Sequence, residues 1–403
     1  MSTTSNASSW QEWLRTQLKQ RLSSENFSNR IQPALSWNGG STLWNGNPRL
    51  DELICSPKFN FQYQEPIPSW RERSSGSGSA HGSNVRTSGG RSPNGTPSFD
   101  QIVPHGGYLW WYVDGLSEDG QHGITIIAFI GSVFSPYYLW ANRNNFANPD
   151  NYCCLNVAIY SKGKKRWTMT ERGLNHSFRD AEIFQIGPSN IKWINDSLEI
   201  NINERSIPFG QKVIGKVKVY PEQLFNYSVP LDSKARHRWG PIAPTSKISV
   251  ELEAPNIKWN GHAYLDSNEG DEPINRPFHE WDWARALLKN GSTAVMYDVR
   301  EKNGNETLLA LRFMKDGNIE NFSLGDRKKL PKTMWKIQRH LRSNTDEVKV
   351  IEDLEDTPFY SRSIISGNWL DEEVTCMHET LNIPRFSSPI VQMMLPWRMP
   401  RLS

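Results

Sequence analysis

From residue 105 onward, apolar and polar residues alternate in short runs that are separated by turn residues. This period of two is typical of antiparallel β-strands. In the first run, one face carries Tyr108, Trp110 and Tyr112 and the other carries Leu109, Trp111 and Val113. Hairpins are predicted within residues 155–169, 191–200 and 295–313. Because strands recur at regular spacing and helical patterns are few, the chain is predicted to be all-β.

Helical patterns are short. Apolar residues at helical spacing predict an amphipathic helix within residues 1–30, which could lie on a membrane or dock on the protein, and further helices are predicted at 278–288 and 332–342. Residues 71–98 contain almost no apolar residues, which predicts a flexible Ser/Gly-rich linker. We therefore divide the chain into an N-terminal extension (1–100), a first β domain (101–275) and a second, smaller β domain (276–403).

The charge balance argues against nucleic acid as a partner. Lys plus Arg (46) nearly equals Asp plus Glu (43), and no basic block accounts for the net charge of +3. The four cysteines lack C-x-x-C spacing, so neither a disulfide nor a metal site is predicted. No signal peptide and no apolar run long enough to span a bilayer is recognised, so we expect a protein on the cytoplasmic side of the membrane.

Common catalytic motifs are missing from the sequence. It contains no nucleotide-binding, zinc-protease or serine-hydrolase signature, and these classes lose support. The unusual feature is 17 Trp, with 12 Tyr and 16 Phe, at a mean hydropathy of −0.63. These rings could fill the core of a β fold, or a few of them could line a long apolar pocket.

One stretch of the sequence is crowded with carboxylates, at Asp266, Glu269, Asp271 and Glu272. If several of them converge in a poorly solvated pocket, their mutual repulsion raises at least one pKa, so that one carboxyl stays protonated. Tyr264 lies two residues before Asp266 and shares its face of a strand. The alternative is a solvated acidic turn at the end of a strand.

A histidine and a tryptophan form the second candidate group. In an extended segment His237 and Trp239 share one face, although either could be purely structural. If this segment meets the acidic one, a protonated carboxyl lies beside aromatic rings. Such a site can protonate an alkene and stabilise the carbocation that results.

Several segments together resemble the carotenoid 1,2-hydratase family, also called the hydroxyneurosporene synthases. The segments are GGYLWWYVDGLSEDGQHG at 106–123, FIGSVFSPYY at 129–138, MTER at 169–172, HRW at 237–239 and GHAYLDSNEGDEP at 261–273. The resemblance is dense from about 105 to 285 and weaker through PFYSR at 358–362 and MLPWRMPR at 394–401. It does not cover the first hundred residues.

The resemblance implies two tandem lipocalin-like antiparallel β-barrel domains. It also implies addition of water, without a cofactor or metal, across the terminal C1–C2 double bond of acyclic carotenoids such as neurosporene and lycopene. The family's essential acid falls on Asp266, with His237, Trp239 and Tyr264 around it.

From these implied roles we expect Asp266 to protonate C2 and water to add at C1. Trp239 and Tyr264 would stabilise the cation, and His237 would position or deprotonate the water. The residues expected to line the substrate pocket are Trp110, Tyr112, Phe134 and Tyr137. Because the substrate dissolves in lipid, the expected partners are the carotenoid and a membrane surface, with peripheral association. The oligomeric state stays open.

Two other functions remain possible on the sequence alone. A lipocalin-like protein can act only as a carrier of apolar ligands, and the same architecture suits a cyclase or pericyclase acting on a polyene. Replacement of Asp266 distinguishes them, because a carrier would still bind carotenoid. A cyclase would give a product without added oxygen.

Overall fold

The structure is a computed structural model that describes residues 89–144 and 147–402. The predicted N-terminal helix and most of the predicted linker lie outside the described residues. The described end of that linker, residues 89–98, contains several buried residues, and its flexibility stays a prediction. Arg91 is buried and donates to the carbonyl of Tyr227 at 2.5 Å, and the Trp111 indole donates to the carbonyl of Gly90 at 3.0 Å.

The first sheet contains all the described strands between residues 108 and 270, together with the last strand of the described chain. Its strands are β1 (Tyr108–Ser117), β2 (His122–Ile130), β3 (Cys153–Ser161), β4 (Arg166–Arg172), β5 (Ser177–Arg179), β6 (Ile183–Ile186), β7 (Ser189–Ile194), β8 (Ser197–Arg205), β9 (Lys212–Pro221), β10 (Val229–Pro230), β11 (His237–Ala254), β12 (Ile257–Gly270) and β22 (Arg401–Leu402). Their order is β22-β4-β3-β2-β1-β12-β11-β9-β8-β7-β6-β5, with β10 on β11. All pairs are antiparallel except β22 with β4.

The second sheet has the order β16-β15-β14-β13-β21-β20-β19. Its strands are β13 (Phe278–Leu287), β14 (Thr293–Glu301), β15 (Glu306–Phe313), β16 (Ile319–Asn321), β19 (Lys349–Asp356), β20 (Tyr360–Trp369) and β21 (Glu372–Asn382), and β17 (Arg327–Lys329) pairs separately with β18 (His340–Arg342). The helices are α1 (Pro136–Asn144), α2 (Ile383–Phe386) and α3 (Pro389–Arg398), with 3-10 turns at Pro149–Asn151 and Leu174–His176.

The predicted fold class, all-β with tandem lipocalin-like antiparallel β-barrel domains and a few short helices, is confirmed, and the described strands form two consecutive, mainly antiparallel sheets. The predicted domain boundary at 275/276 falls between β12 and β13. Strand β22 follows the second sheet in the chain but pairs with β4 of the first sheet, so the division of the chain at this point stays a prediction. Among the described residues, no helix is long and apolar enough to cross a bilayer.

The alternation predicted for β1 is present. Leu109, Trp111 and Val113 belong to a core formed by residues of the first sheet. Tyr108, Trp110 and Tyr112 belong to a second core, which also contains side chains from β13, β14 and β21. The rings on this face of β1 therefore lie between the two sheets, where a ligand pocket can form.

The helix predicted at 278–288 is wrong, because this segment is strand β13. Trp281 and Trp283 pack in the core between the sheets, whereas Ala284 and Ala286 pack in a separate core behind the second sheet. Both faces of the strand are buried, so apolar residues do not alternate with polar ones along it. Its Ala, Leu and Arg content resembles a helix, but tertiary packing overrides the propensity.

The helix predicted at 332–342 is also wrong. Residues 333–336 form a turn in which Lys336 has a positive φ of 63°, and the chain then extends into β18. Arg339, which is 2% exposed, donates to the carbonyl of Pro331 at 2.8 Å and to the Ser363 hydroxyl at 2.7 Å. These tertiary hydrogen bonds hold the segment in an extended form.

Candidate active site

Asp266 lies near the end of β12, the strand between β1 and β11. Its backbone is aligned with Tyr112 on β1 and with Pro241 on β11, and the register of β11 shifts directly after this proline. Proline has no N–H to give to the ladder, so the regular pairing is interrupted beside the acid. Tyr264, Asp266 and Asn268 share the face of β12 that is turned toward the second sheet.

The two oxygens of Asp266 have different surroundings. Trp239 donates its indole N–H to Oδ2 at 2.7 Å, and the Tyr264 hydroxyl donates to the same oxygen at 2.6 Å. Oδ1 is buried and has no hydrogen-bond partner among the described residues. Because Oδ2 already accepts two hydrogen bonds, Oδ1 is the oxygen that carries the proton of the neutral acid.

Burial raises the pKa of Asp266 to about 8. The side chain is 2% exposed, and removal from water disfavours the charged carboxylate. The hydrogen bonds from Tyr264 and Trp239 oppose this shift, whereas the charges of Glu379 and Asp114 add to it. The carboxyl group therefore keeps its proton at neutral pH.

A cavity of about 280 Å³ adjoins Asp266. It is bounded by residues of both sheets and of α3, and most of its walls are apolar, as in sites that enclose apolar ligands. The aromatic lining residues are Trp110, Tyr112, Phe129, Phe134, Trp167, Trp281, Trp283, Tyr297, Trp335, Phe359 and Tyr360. The polar lining residues include Asn156, Asp266, Asn268, Glu355, Asp356, Arg362, Glu379 and Arg398.

Three of the four predicted pocket residues line this cavity, namely Trp110, Tyr112 and Phe134. Tyr137 is half-buried in the first turn of α1 and is not among the lining residues. The hydroxyl of Ser135 accepts the backbone N–H groups of Tyr137 and Tyr138, each at 3.1 Å, so a helix begins here. The strand alternation on which the prediction for Tyr137 rested ends at this point.

Trp239 and Tyr264 contact the acid, as the sequence predicted, but neither is among the residues lining the cavity. Their polar groups hold Oδ2 of Asp266. The rings that face the cavity belong to other residues. Trp283 has its ring centroid 5.4 Å from that of Tyr264 and 5.4 Å from that of Tyr112.

His237 is fully buried at the start of β11 and is not a lining residue. Its Nδ1 lies 2.8 Å from the Tyr108 hydroxyl, and its Nε2 lies 3.8 Å from the carboxylate of Glu272. Burial lowers the pKa of His237, which favours the neutral imidazole. The ring of Tyr108 in turn stacks on that of Trp110, with their centroids 4.8 Å apart. His237 is therefore connected to the cavity indirectly, through Tyr108 to Trp110 and through Phe278 to Trp281.

Two sets of site residues were missed at the level of sequence. Trp281 and Trp283 fell in the segment predicted to be helical, and Tyr297 was assigned only to a hairpin. Glu379 and Arg362 come from β21 and β20, about a hundred residues after Asp266, and the only sequence signal was the weak resemblance at 358–362.

Arg362 and Glu379 form a buried ion pair. Arg362, which is 1% exposed, donates through Nε at 2.8 Å and Nη2 at 2.7 Å to Oε1 of Glu379. Tyr112 donates its hydroxyl to the same oxygen at 2.7 Å. Arg362 also pairs with Glu355 at 2.9 Å. Within residues 89–144 and 147–402, no cluster of three His, Cys, Asp or Glu side chains is arranged to hold a metal.

Comparisons with known proteins agree on one family. The sequence profile described as carotenoid hydratase CrtC matches residues 126–403. The acyclic carotenoid 1,2-hydratase of Rubrivivax gelatinosus is 49% identical over 374 residues, covering 92% of each chain. That of Thiocapsa roseopersicina is 45% identical over 375 residues, covering 93% of this chain and 92% of the relative.

A solved structure gives evidence on the fold alone. The structure of an AttH candidate from Nitrosomonas europaea aligns with a TM-score of 0.50 at 16% identity, covering 68% of this chain and 92% of that one. This likeness agrees with the lipocalin-like architecture implied by the sequence motifs. The profile match and the two relatives carry the assignment, and the chain belongs to the carotenoid hydratase family.

Proposed function

We propose that the protein adds water across the terminal C1–C2 double bond of acyclic carotenoids such as lycopene and neurosporene. The observation that carries this proposal is a buried carboxyl group with a raised pKa and an unpartnered Oδ1, next to an aromatic cavity. Protonation of an isolated alkene needs an acid that still carries its proton at neutral pH in a site removed from water, and the buried Asp266 has these properties. The names of the two close relatives state the same activity.

In the proposed mechanism Asp266 transfers its proton from Oδ1 to C2. The positive charge then resides at C1, because the more substituted carbon carries it better. Aromatic faces attract cations by roughly 2 kcal/mol when both are desolvated. Among the lining rings, Trp283 is the best placed for this role, since it packs beside Tyr112 and Tyr264. Water adds at C1, and no electrons are transferred, so the reaction requires no redox cofactor.

The proposed function is tested by incubating the protein with detergent-dispersed lycopene in water enriched in ¹⁸O. We expect a 1-hydroxy product that carries the heavy isotope, because the oxygen comes from solvent. Mass spectrometry of the extracted carotenoids measures this. Binding of lycopene without conversion would instead indicate a carrier. A product of unchanged mass would indicate a cyclase.

We further propose that the protein binds membranes peripherally through α3. Val391 and Leu395 line the cavity from one face of this helix, whereas Ile390, Met393 and Trp397 are exposed on it. An exposed apolar face on a helix that also lines a cavity for a lipid-soluble substrate fits the surface of a bilayer. Lys332 and Lys336, exposed on the loop that carries the lining residue Trp335, suit anionic headgroups.

Replacing both Ile390 and Met393 by Ser should therefore weaken binding to vesicles that contain anionic phospholipid. Flotation of the protein with such vesicles measures the bound fraction. The matched control is Leu308→Ser on β15, which removes an exposed leucine that does not line the cavity. Equal flotation of the double variant and the wild type would contradict the assignment of α3.

A further inference from the structure

Hydration needs a proton acceptor as well as a donor. When water adds to the cation at C1, the oxygen becomes positively charged until one proton leaves. The predicted acceptor, His237, is not a lining residue of the cavity. The carboxylates that line the cavity besides Asp266 are Glu355, Asp356 and Glu379.

We propose that Glu379 is the general base that takes this proton. The inference rests on the proposed hydration and goes beyond it by assigning the second half of the reaction. Glu379 lies on β21 of the second sheet, aligned with Trp283 on β13, and Asp266 lies on β12 of the first sheet, aligned with Tyr112. The hydroxyl of Tyr112 donates to Glu379 at 2.7 Å. The side chain of Tyr112 therefore connects β1, the strand beside Asp266, to the proposed base on β21.

The hydrogen bonds of Glu379 leave one oxygen available. Among the described residues, Glu379 accepts three hydrogen bonds, one from Tyr112 and two from Arg362, and all three go to Oε1. No donor among the described residues reaches Oε2. The side chain keeps 13% of its surface accessible although the arginine is almost completely buried. A carboxylate fixed through one oxygen can receive a proton from water through the other.

The other two lining carboxylates also have one oxygen without a hydrogen bond, so hydrogen bonding alone does not separate the three. Glu355 accepts from Arg362 and Tyr160 through Oε1. Asp356 accepts the backbone N–H of Trp335 through Oδ2, and its Oδ1 has no partner among the described residues. Glu379 differs from both in that it is bound by Tyr112, the residue aligned with Asp266 on the neighbouring strand β1. Of the three, it is also the one whose charge is among the main influences on the pKa of Asp266.

The proton count closes over one cycle. Asp266 gives one proton to C2 and becomes a carboxylate, and the C1 cation forms a bond to the oxygen of water. Glu379 receives one proton from this water and becomes neutral, leaving the tertiary alcohol. Transfer of a proton from Glu379 back to Asp266 through water restores both groups, and the net reaction is alkene plus water to alcohol.

The test is Glu379→Gln, assayed with detergent-dispersed lycopene in D₂O. Loss of a general base typically lowers a rate by about 10²- to 10⁴-fold, and we expect a loss of alcohol formation in this range. Asp266 is still present, so deuteron transfer to C2 and its reversal should continue. When the cation turns about its C2–C3 bond before this reversal, the carboxylate removes the original hydrogen, and unreacted lycopene should therefore acquire deuterium at C2, as measured by mass spectrometry and NMR. The ratio of exchange to alcohol should rise steeply above that of the wild type.

Glu379→Asp keeps a carboxylate that is one methylene shorter, and we expect it to recover part of the alcohol yield. The control is Glu373→Gln, at an exposed position of the same strand, which should behave as the wild type. An unchanged exchange-to-alcohol ratio in both Glu379 variants, or equal loss of exchange and alcohol in folded Glu379→Gln, overturns the assignment. If the wild type itself forms neither alcohol nor exchanged lycopene, the proposed function fails instead.

Discussion

Replacement of Asp266 by Asn is expected to lower hydration of lycopene by about 10⁴-fold, the upper end of what a general acid contributes. The amide can still accept the hydrogen bonds of Trp239 and Tyr264, so the geometry around it is kept. The amide has no acidic proton to give to C2, and no other carboxyl group that lines the cavity occupies this position. The measurement is the initial rate of alcohol formation, together with deuterium exchange into lycopene, which should also be lost.

The same variant should be at least as stable as the wild type. The pKa of Asp266 rises from an ordinary 3.8 to about 8 on folding, so the folded state retains a proton that the unfolded state releases. The stability that this group contributes is present below pH 3.8 and is lost as pH rises toward 8. The advantage of Asn should thus grow by roughly 1.4 kcal/mol per pH unit across that window and then level off.

Thermal unfolding of both proteins across this range measures the difference. Asp271→Asn, in the same acidic stretch but exposed, serves as the control for loss of one negative charge. A folded Asp266→Asn protein with full hydratase activity would exclude Asp266 as the acid.

The second large effect is expected in the pH dependence of kcat/KM, which reports the free enzyme. Only the protonated carboxyl can act as the acid, so activity should fall about tenfold per unit above a pKa near 8. Tyr264→Phe removes a hydrogen bond that favours the ionised form of Asp266. The alkaline limb should therefore move to higher pH in this variant.

Several charged groups surround the carboxyl and have to be considered in this profile. Asp114 and Glu379 raise the pKa of Asp266, and each is itself paired, with Arg285 and Arg362 respectively. An alkaline limb that stays in place in Tyr264→Phe would show that another group controls the profile.

The sequence was sufficient for the parts of the molecule that depend on local pattern. A period of two along 108–113 predicted which rings share a face, and the structure puts that face between the sheets. The spacing of Tyr264 and Asp266 predicted that they share a face. Trp239 meets Asp266 because β11 and β12 are adjacent strands. Where local pattern and packing agree, as in these strands, the prediction holds.

The remaining parts depend on contacts that local pattern does not contain. Both faces of β13 are buried, so its sequence lacks the alternation of apolar and polar residues that marks a half-buried strand. The shared face of His237 and Trp239 was predicted correctly, but the distance along β11 separates the histidine from the acid, since His237 is aligned with Gly270 and not with Asp266. Glu379 reaches the site only because the second sheet packs over the first.

The way in which Asp266 is held has a stereochemical consequence. With Oδ2 fixed by an indole and a phenol, the carboxyl group cannot exchange its two oxygens by rotation without breaking both hydrogen bonds. Under the proposed chemistry, the hydrogen reaches C2 from a single side of the planar alkene. The methylene formed at C2 in D₂O would then be chiral, and every product molecule would carry the same handedness at that carbon.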